Sequence, residues 1–167
     1  MLNWYAIYVN VKHEKKVIHK LTEKGIEAYA PFVKKMRQWS DRKKMLEFPM
    51  LSGYVFVHIN EIEKENVLKC AGVFSFVKFN GIEAKIRDTE IDILKSIEES
   101  GYDVTTEIED VKLSDLVEIT QGQLKGLRGT IVGIKNINYV QIQLMSLQQN
   151  IKVKLPIHII KPVSFQL

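Results

Sequence analysis

The chain is poor in cysteine. Cys70 is the one cysteine among 167 residues, so no intrachain disulfide can form and the fold must rest on packing. A lone cysteine is ordinarily a small buried apolar side chain, and no histidine adjoins Cys70 to activate it as a nucleophile. Long apolar runs are also missing. None approaches the roughly 20 residues that cross a bilayer. The start lacks a charged lead and an apolar stretch: Met1-Leu2-Asn3-Trp4-Tyr5 passes straight into a strand-like run. A soluble, cytoplasmic protein with no membrane partner is expected. Histidine is sparse. His13, His19, His58 and His158 have no cysteine or carboxylate neighbours at metal-site spacing, so neither a metal nor a cofactor is expected. The glycine-rich "GQLKGLRG" precedes a strand-like run, whereas loops that cradle phosphates or dinucleotides open a helix. Carboxylate pairs such as Glu98-Glu99 fit the solvated side of a helix. These absences exclude the common catalytic arrangements, and no enzyme is expected.

What is present is an ordinary globular composition with an uneven charge. Hydrophobic residues make up 46% of the chain, enough to fill a core. Its length suits one domain, or one domain plus a small module. The formal net charge is +4, but residues 1–50 hold eleven Lys/Arg against five Asp/Glu, while residues 51–100 hold six against nine. The first third therefore favours a polyanion nearby, or presents a solvated basic face.

The pattern along the chain changes period repeatedly. "NWYAIYVNV" (3–11) is aromatic and β-branched and reads as a strand. "HEKKVIHKLTEKG" (13–25) carries Val17, Ile18 and Leu21 as an apolar stripe and ends at Gly25, a helix with a glycine stop. "IEAYAPFV" (26–33) reads as a strand with Pro31 at a bulge or edge. Residues 34–48 are basic and resemble a long hairpin tip. A strand at 54–59, a short helix at 61–70, a strand at 72–81 and a helix at 87–100 follow, the last capped by Asp88 or Thr89 and carrying Ile91, Leu94 and Ile97. Residues 102–112 are polar and acidic and read as a linker. Beyond them, short β-rich runs at Leu116–Thr120, Gly129–Ile134, Tyr139–Leu144, Ile151–Leu155 and Ile159–Val163 suggest a small barrel that closes its own edges. The β-branched texture of "TIVGI" and "IKVKL" favours strands there over helix. The fold class is α+β: an antiparallel sheet with helices, followed by a five-stranded barrel.

One strand poses a question. In "GYVFVHI" (53–59), alternation places Tyr54, Phe56 and His58 on one face and Val55, Val57 and Ile59 on the other. Both faces are apolar, where a sheet of a small domain commonly shows one wet face.

Two resemblances bear on it. "DLVEITQGQLKGLRGTIVGI" (115–134) resembles a KOW motif through Asp115, Val117, Gly122, Gly126 and Gly129, although Ser114 and Gln123 stand where the family often has Gly and Pro. Gly122 suits a tight turn and Gly129 a close backbone approach. The segments "WYAIYVNVKHEKKV", "GIEAYAPFV", "FPMLSGYVFVHI", "GVFSFVKFNG" and "IRDTEIDIL" resemble the N-terminal domain of NusG-type transcription factors. The "RQWSDRKK" tip is most similar to specialised paralogues such as UpxY-like regulators of capsular polysaccharide operons. The resemblance implies an N-terminal polymerase-binding domain at 1–101, a linker at 102–112 and a KOW-containing SH3-like barrel at 113–167. It implies that Tyr8, Leu51, Tyr54 and Phe56 grip the clamp helices of RNA polymerase, with Phe56 open between core and interface. It implies that Lys12, Lys16, Lys34, Lys35, Arg37, Trp39, Arg42, Lys43 and Lys44 face non-template DNA or nascent RNA, with His13 and His19 extending that surface. It further implies that Lys125, Leu127 and Arg128 contact a partner of the barrel: Rho, a ribosomal protein or RNA. The second helix lacks the threonines that some paralogues use, leaving Glu65 and Asn66 as the candidates there. A monomer is expected, acting in transcription elongation and antitermination of particular operons. The alternatives are a general NusG that assists Rho and couples to ribosomes, or a KOW protein of RNA or the ribosome.

Overall fold

A computed structural model of the chain describes residues 1–106, 112–134 and 137–163. It contains two compact units, one of Met1–Phe32 with Glu47–Ile91 and one of Val33–Leu46 with Asp92–Leu167. Along the chain run β1 (Asn3–Val9), α1 (Glu14–Glu23), β2 (Glu27–Tyr29), β3 (Phe32–Gln38), β4 (Lys43–Pro49), β5 (Tyr54–Ile59), α2 (Lys64–Leu68), β6 (Val73–Phe76), β7 (Lys78–Phe79), β8 (Ile82–Glu83), β9 (Lys85–Ile86) and α3 (Asp88–Ser100). They continue with β10 (Val104–Thr105), β11 (Lys112–Ile119), β12 (Arg128–Ile134), β13 (Ile137–Leu144), β14 (Gln149–Val153) and β15 (Ile160–Pro162). None of the described helices is long and apolar enough to cross a membrane.

The sheet of the first unit has the order β2-β5-β1-β6, with β9 also pairing β1, and these neighbours run antiparallel. Its inner face buries Tyr5, Ile7 and Val9 of β1, Val55, Val57 and Ile59 of β5, and Phe76 of β6 in one cluster with Val17 and Leu21 of α1. Apolar residues at helical spacing therefore meet three strands of alternating spacing. α1 ends as its glycine predicts. Gly25 takes φ +76°, its N–H donates to the Thr22 carbonyl at 2.9 Å, and the Ile26 N–H donates to the Leu21 carbonyl at 3.0 Å. These two bonds are a Schellman stop.

The structure revises four boundaries. The strand expected over 26–33 breaks at Ala30-Pro31, because proline has no N–H to give a ladder. β3 then runs to Gln38 and pairs with β4 as a two-stranded hairpin. The strand expected over 72–81 breaks after Phe76: the Val77 N–H donates to the Ala6 carbonyl at 2.9 Å, and Asn80 and Gly81 turn the chain with φ +52° and +78°. Helix 61–70 begins as a 3-10 turn, Glu61–Glu63, held by a reciprocal capping box between Asn60 and Glu63. The first residue before α3 is Arg87, one position earlier than expected. Its backbone N–H donates to the Glu90 carboxylate at 3.3 Å, and Glu90 is buried.

In the second unit the sheet order is β10-β14-β13-β12-β11-β15. The five expected strands are all present. β10 is additional and comes from the segment read as a linker, where Val104 and Thr105 pair with Val153 and Lys152. A two-residue strand has no period that a sequence can display. Residues 107–111 of that segment lie outside the described residues. Val117, Ile119, Leu124, Val132, Val140, Ile142, Leu144, Ile151 and Val153 are buried. The turn between β11 and β12 closes with the Gly126 N–H on the Ile119 carbonyl at 2.8 Å and the Ile119 N–H on the Leu127 carbonyl at 2.9 Å.

Candidate functional site

The outer face of β5 is an aromatic row. Trp4 lies opposite His58, Ala6 opposite Phe56 and Tyr8 opposite Tyr54 across the β1–β5 pair, while Tyr29 of β2 lies opposite Phe56. Trp4 and His58 stack with ring centroids 4.8 Å apart, Tyr29 and Phe56 at 6.4 Å, and Tyr8 and Tyr54 at 5.1 Å with a 56° tilt. Cross-strand aromatic pairs of this kind each add a few tenths to about 1 kcal/mol to the sheet. Exposure changes along the row. Trp4, Ala6 and Phe56 are buried, Tyr54 is partly exposed and Tyr8 is 37% exposed.

The four residues expected as a gripping surface therefore separate into two kinds. Tyr8 and Tyr54 offer accessible side-chain surface. Leu51 (4% exposed) and Phe56 (0%) are buried in the free chain, so neither offers surface for direct contact in this conformation. Alternation assigned Phe56 to the outer face correctly, but alternation does not report depth.

The turn before Tyr54 is held from both sides. The Tyr54 N–H donates to the Leu51 carbonyl at 3.2 Å, and Gly53 sits third in the turn at φ +80°, the position where a type II turn demands glycine. The Gly53 carbonyl accepts from the Val9 N–H at 2.9 Å, and its N–H donates to Glu14 Oε1 at 2.8 Å.

Two exposed apolar residues nearby carry no signal in the sequence. Val11 is 59% exposed and its Cγ2 lies 3.6 Å from where a Cβ on Gly53 would stand. Phe74 is 67% exposed on edge strand β6, where the β1–β6 register shifts by one residue between Tyr8 and Val9. Phe74 is the unpaired residue of that bulge, and bulges re-aim side chains in a way that a period of two cannot show.

The hairpin of β3 and β4 carries the basic set. Lys34, Arg37, Arg42, Lys43 and Lys44 lie at its surface, as does Trp39, 54% exposed. The Trp39 N–H donates to the Arg42 carbonyl at 2.7 Å and closes the tip over Ser40-Asp41. Lys35 differs from the rest: its Nζ donates to the Val104 carbonyl at 2.9 Å and lies 3.8 Å from Asp103. In the first unit, Lys12 and Lys16 are exposed, and Lys12 adopts φ +68°. Lys15 is committed elsewhere, ion-paired with Glu47 and 4.9 Å from the Phe32 ring centroid. His19 pairs with Glu23 one turn on, at 3.2 Å, and Glu65 pairs with Lys69 at 2.7 Å, which draws the Glu65 carboxyl below its ordinary value.

A strongly coupled cluster of the first unit supports the fold. The Tyr5 hydroxyl donates to Glu61 at 2.6 Å, and Lys64 bridges Glu61 and Glu83 while lying 4.6 Å from the Tyr5 ring centroid. Burial and the Glu61 bond push the Tyr5 phenol up, whereas hydrogen bonds from Lys64 and Tyr5 hold Glu61 low. Burial alone would lower Lys64, but its two carboxylate partners raise it. Tyr5 belongs to the core cluster, so this network ties β1 to the turn before α2.

On the second unit, Lys125 is exposed and Leu127 half-buried. Arg128 is exposed but its Nε donates to Glu118 at 3.1 Å, directly across β11–β12. Among the described residues no group of three His, Cys, Asp or Glu side chains could hold a metal ion. The first unit presents aromatic surface at Tyr8 and Tyr54, and the second presents cationic side chains of the hairpin.

Comparison with known proteins gives three findings. The family model described as "Transcription termination factor nusG" matches residues 2–95. The structure of Thermotoga maritima NusG, solved for its domain interaction, is similar with a TM-score of 0.59 at 21% identity, covering 98% of each chain. The MjSpt4:Spt5 complex in its conformation A aligns at 20% identity over 96% of this chain and 98% of that one, with a TM-score of 0.33. No curated protein matches the chain.

Proposed function

This chain belongs to the NusG family, and from that premise we propose that it is a transcription elongation factor that docks on RNA polymerase through Tyr8 and Tyr54. The observation that carries the reading is this accessible tyrosine pair, 5.1 Å apart on a face where Trp4 and Phe56 are buried and Tyr29 and His58 half-buried. Tyrosines with an apolar body and a polar tip are typical anchors of protein interfaces. Leu51 and Phe56, both buried, contribute only by keeping the turn and strand that carry Tyr54 folded. The partner surface is the clamp-helix coiled coil of the largest polymerase subunit. Binding there favours the closed, pause-resistant enzyme, a population shift that needs no bond chemistry. Suppressed pausing and readthrough of terminators follow, in the cytoplasm and at particular operons.

The functional modules of this reading are a polymerase-binding domain at 1–101, a linker at 102–112 and a KOW barrel at 113–167. The barrel presents Lys125, Leu127 and Arg128 to Rho, a ribosomal protein or RNA. The basic hairpin and the exposed lysines of α1 and its preceding loop contact non-template DNA or nascent RNA through phosphates, with Trp39 available for stacking. Lys35, tied to Val104 and Asp103, contributes least. A second reading is favoured by the matched family's own description as a termination factor: a general NusG that assists Rho.

Two measurements test the reading. Tyr54→Ala should weaken binding to purified polymerase about tenfold, some 1.4 kcal/mol, while costing no more stability than the ~1 kcal/mol that the Tyr8–Tyr54 pair supplies. Equal loss of binding and fold would return Tyr54 to the core. In transcription of the cognate operon leader, the protein should lengthen transcripts past the terminator; Rho-dependent shortening would select the second reading. A further expectation concerns nucleic acid. Neutralising Lys43 and Lys44 together should flatten the slope of log K against log salt for single-stranded DNA by about 1.4, the contribution of two phosphate contacts. An unchanged slope would remove the hairpin from the DNA surface.

A further inference from the structure

Glu14 is a buried carboxylate that the polymerase reading does not use. It is 2% exposed, stands at the first position of α1, and reaches 39 residues along the chain to accept the Gly53 N–H at 2.8 Å. A carboxylate is stable in such a place only where donors replace water. A charge-assisted bond to a backbone N–H is stronger than a neutral one.

Its target is informative. Gly53 adopts φ +80°, where the backbone has few stable alternatives once both its peptide groups are bonded. The Gly53 carbonyl is held by the Val9 N–H at 2.9 Å. Val9 follows Tyr8 and Gly53 precedes Tyr54. The two hydrogen bonds on Gly53 thus fix the backbone beside both tyrosines. Without the carboxylate, the turn Leu51–Tyr54 loses its tie to α1, and the 3.2 Å closing bond donated by the Tyr54 N–H opens more readily. Tyr54 would then sample other placements relative to Tyr8.

We propose that Glu14 is the positioning residue of the polymerase-docking surface, holding the Gly53 turn so that Tyr8 and Tyr54 form one preorganised pair. This rests on the reading of Tyr54 as a polymerase contact. Glu14 touches no partner; it acts through Gly53. Preorganisation raises affinity because the ordering cost is met before binding.

The test is a double-mutant cycle on the full chain with purified polymerase. Glu14→Met removes the acceptor at similar length, and Glu14→Gln keeps an acceptor oxygen. Glu14→Met should weaken binding five- to tenfold, and Glu14→Gln less than threefold. In a Tyr54→Ala background, Glu14→Met should add less than a twofold loss, because the surface it organises is already gone. Amide hydrogen exchange supplies a readout that general destabilisation would not give: Gly53 and Tyr54 should exchange faster in Glu14→Met while Val55 and Val57 stay protected. Additive losses in the cycle, or uniform loss of protection, would overturn the positioning role. Should Glu14→Met fail to fold, Glu14→Gln decides: folded with binding retained supports the role, folded with binding lost overturns it. If Tyr54→Ala alone leaves polymerase binding intact, the docking reading fails, and the Gly53 exchange rates still report whether Glu14 holds the turn.

Discussion

Replacing Phe56 by alanine is expected to cost about 3–5 kcal/mol of stability, the usual range for a fully buried phenylalanine. Phe56 has 0% exposure, and its cross-strand neighbours on the outer face are Ala6 and Tyr29. Ala6 is too small to fill the space, and Tyr29 touches Phe56 as a stacked ring 6.4 Å away. The cavity would therefore persist. A loss of this size is a large share of the stability of a typical domain. Polymerase binding by Phe56→Ala should fall only as far as the folded fraction falls. Tyr54→Ala should show the reverse, losing binding while its stability falls by no more than the ~1 kcal/mol of the Tyr8–Tyr54 pair. Urea denaturation of both variants beside one binding assay separates them. A Phe56→Ala protein as stable as the parent, yet unable to bind, would make Phe56 a contact that becomes exposed on docking.

The two neighbouring aromatics show how far a period reaches. Alternation sorts Tyr54, Phe56 and His58 from Val55, Val57 and Ile59, and the inner three do enter the cluster with α1. It cannot grade depth along the outer face, because exposure of a strand residue depends on what lies over it. The helix stop at Gly25 and the stripe of Val17 and Leu21 are legible because both are local. Phe74 is not, since a bulge exists only relative to a partner strand. Glu14 is not either. In sequence it is one acidic residue in a charged helix, and its Gly53 partner stands 39 residues away. Lys15 and Lys35 show the same limit for charge: each counts toward the basic excess, yet Lys15 is engaged by Glu47 and Phe32, and Lys35 by Val104 and Asp103. Charge counts locate a basic segment, and contacts decide which of its cations are available to a phosphate.

Gly129→Ala should be the most damaging small substitution in the second unit, with a loss of about 3 kcal/mol, the upper part of the range for overpacking. Gly129 lies in β12, opposite Val117 of β11, with β13 on its other side. A Cβ there would stand 2.5 Å from the Gln141 carbonyl oxygen and 2.6 Å from Val140 Cγ1. The first obstacle is backbone of a paired strand, so relief requires moving β13 and its bonds to β14. Gly126 gives the comparison. It has φ +90°, and nothing lies within 4 Å of where a Cβ would stand, so Gly126→Ala carries only the left-handed penalty of about 1–2 kcal/mol. The two glycines stand three residues apart in one motif, yet each is required for a different reason: one for a backbone angle, the other for the width of a side chain. Amide exchange at Val117, Val140 and Ile142 reads the difference. Gly129→Ala should lower protection at all three by about a hundredfold, as about 3 kcal/mol requires, and Gly126→Ala by much less. Equal effects from both substitutions would mean that β13 moves aside freely, and the close approach would then be no constraint on the barrel.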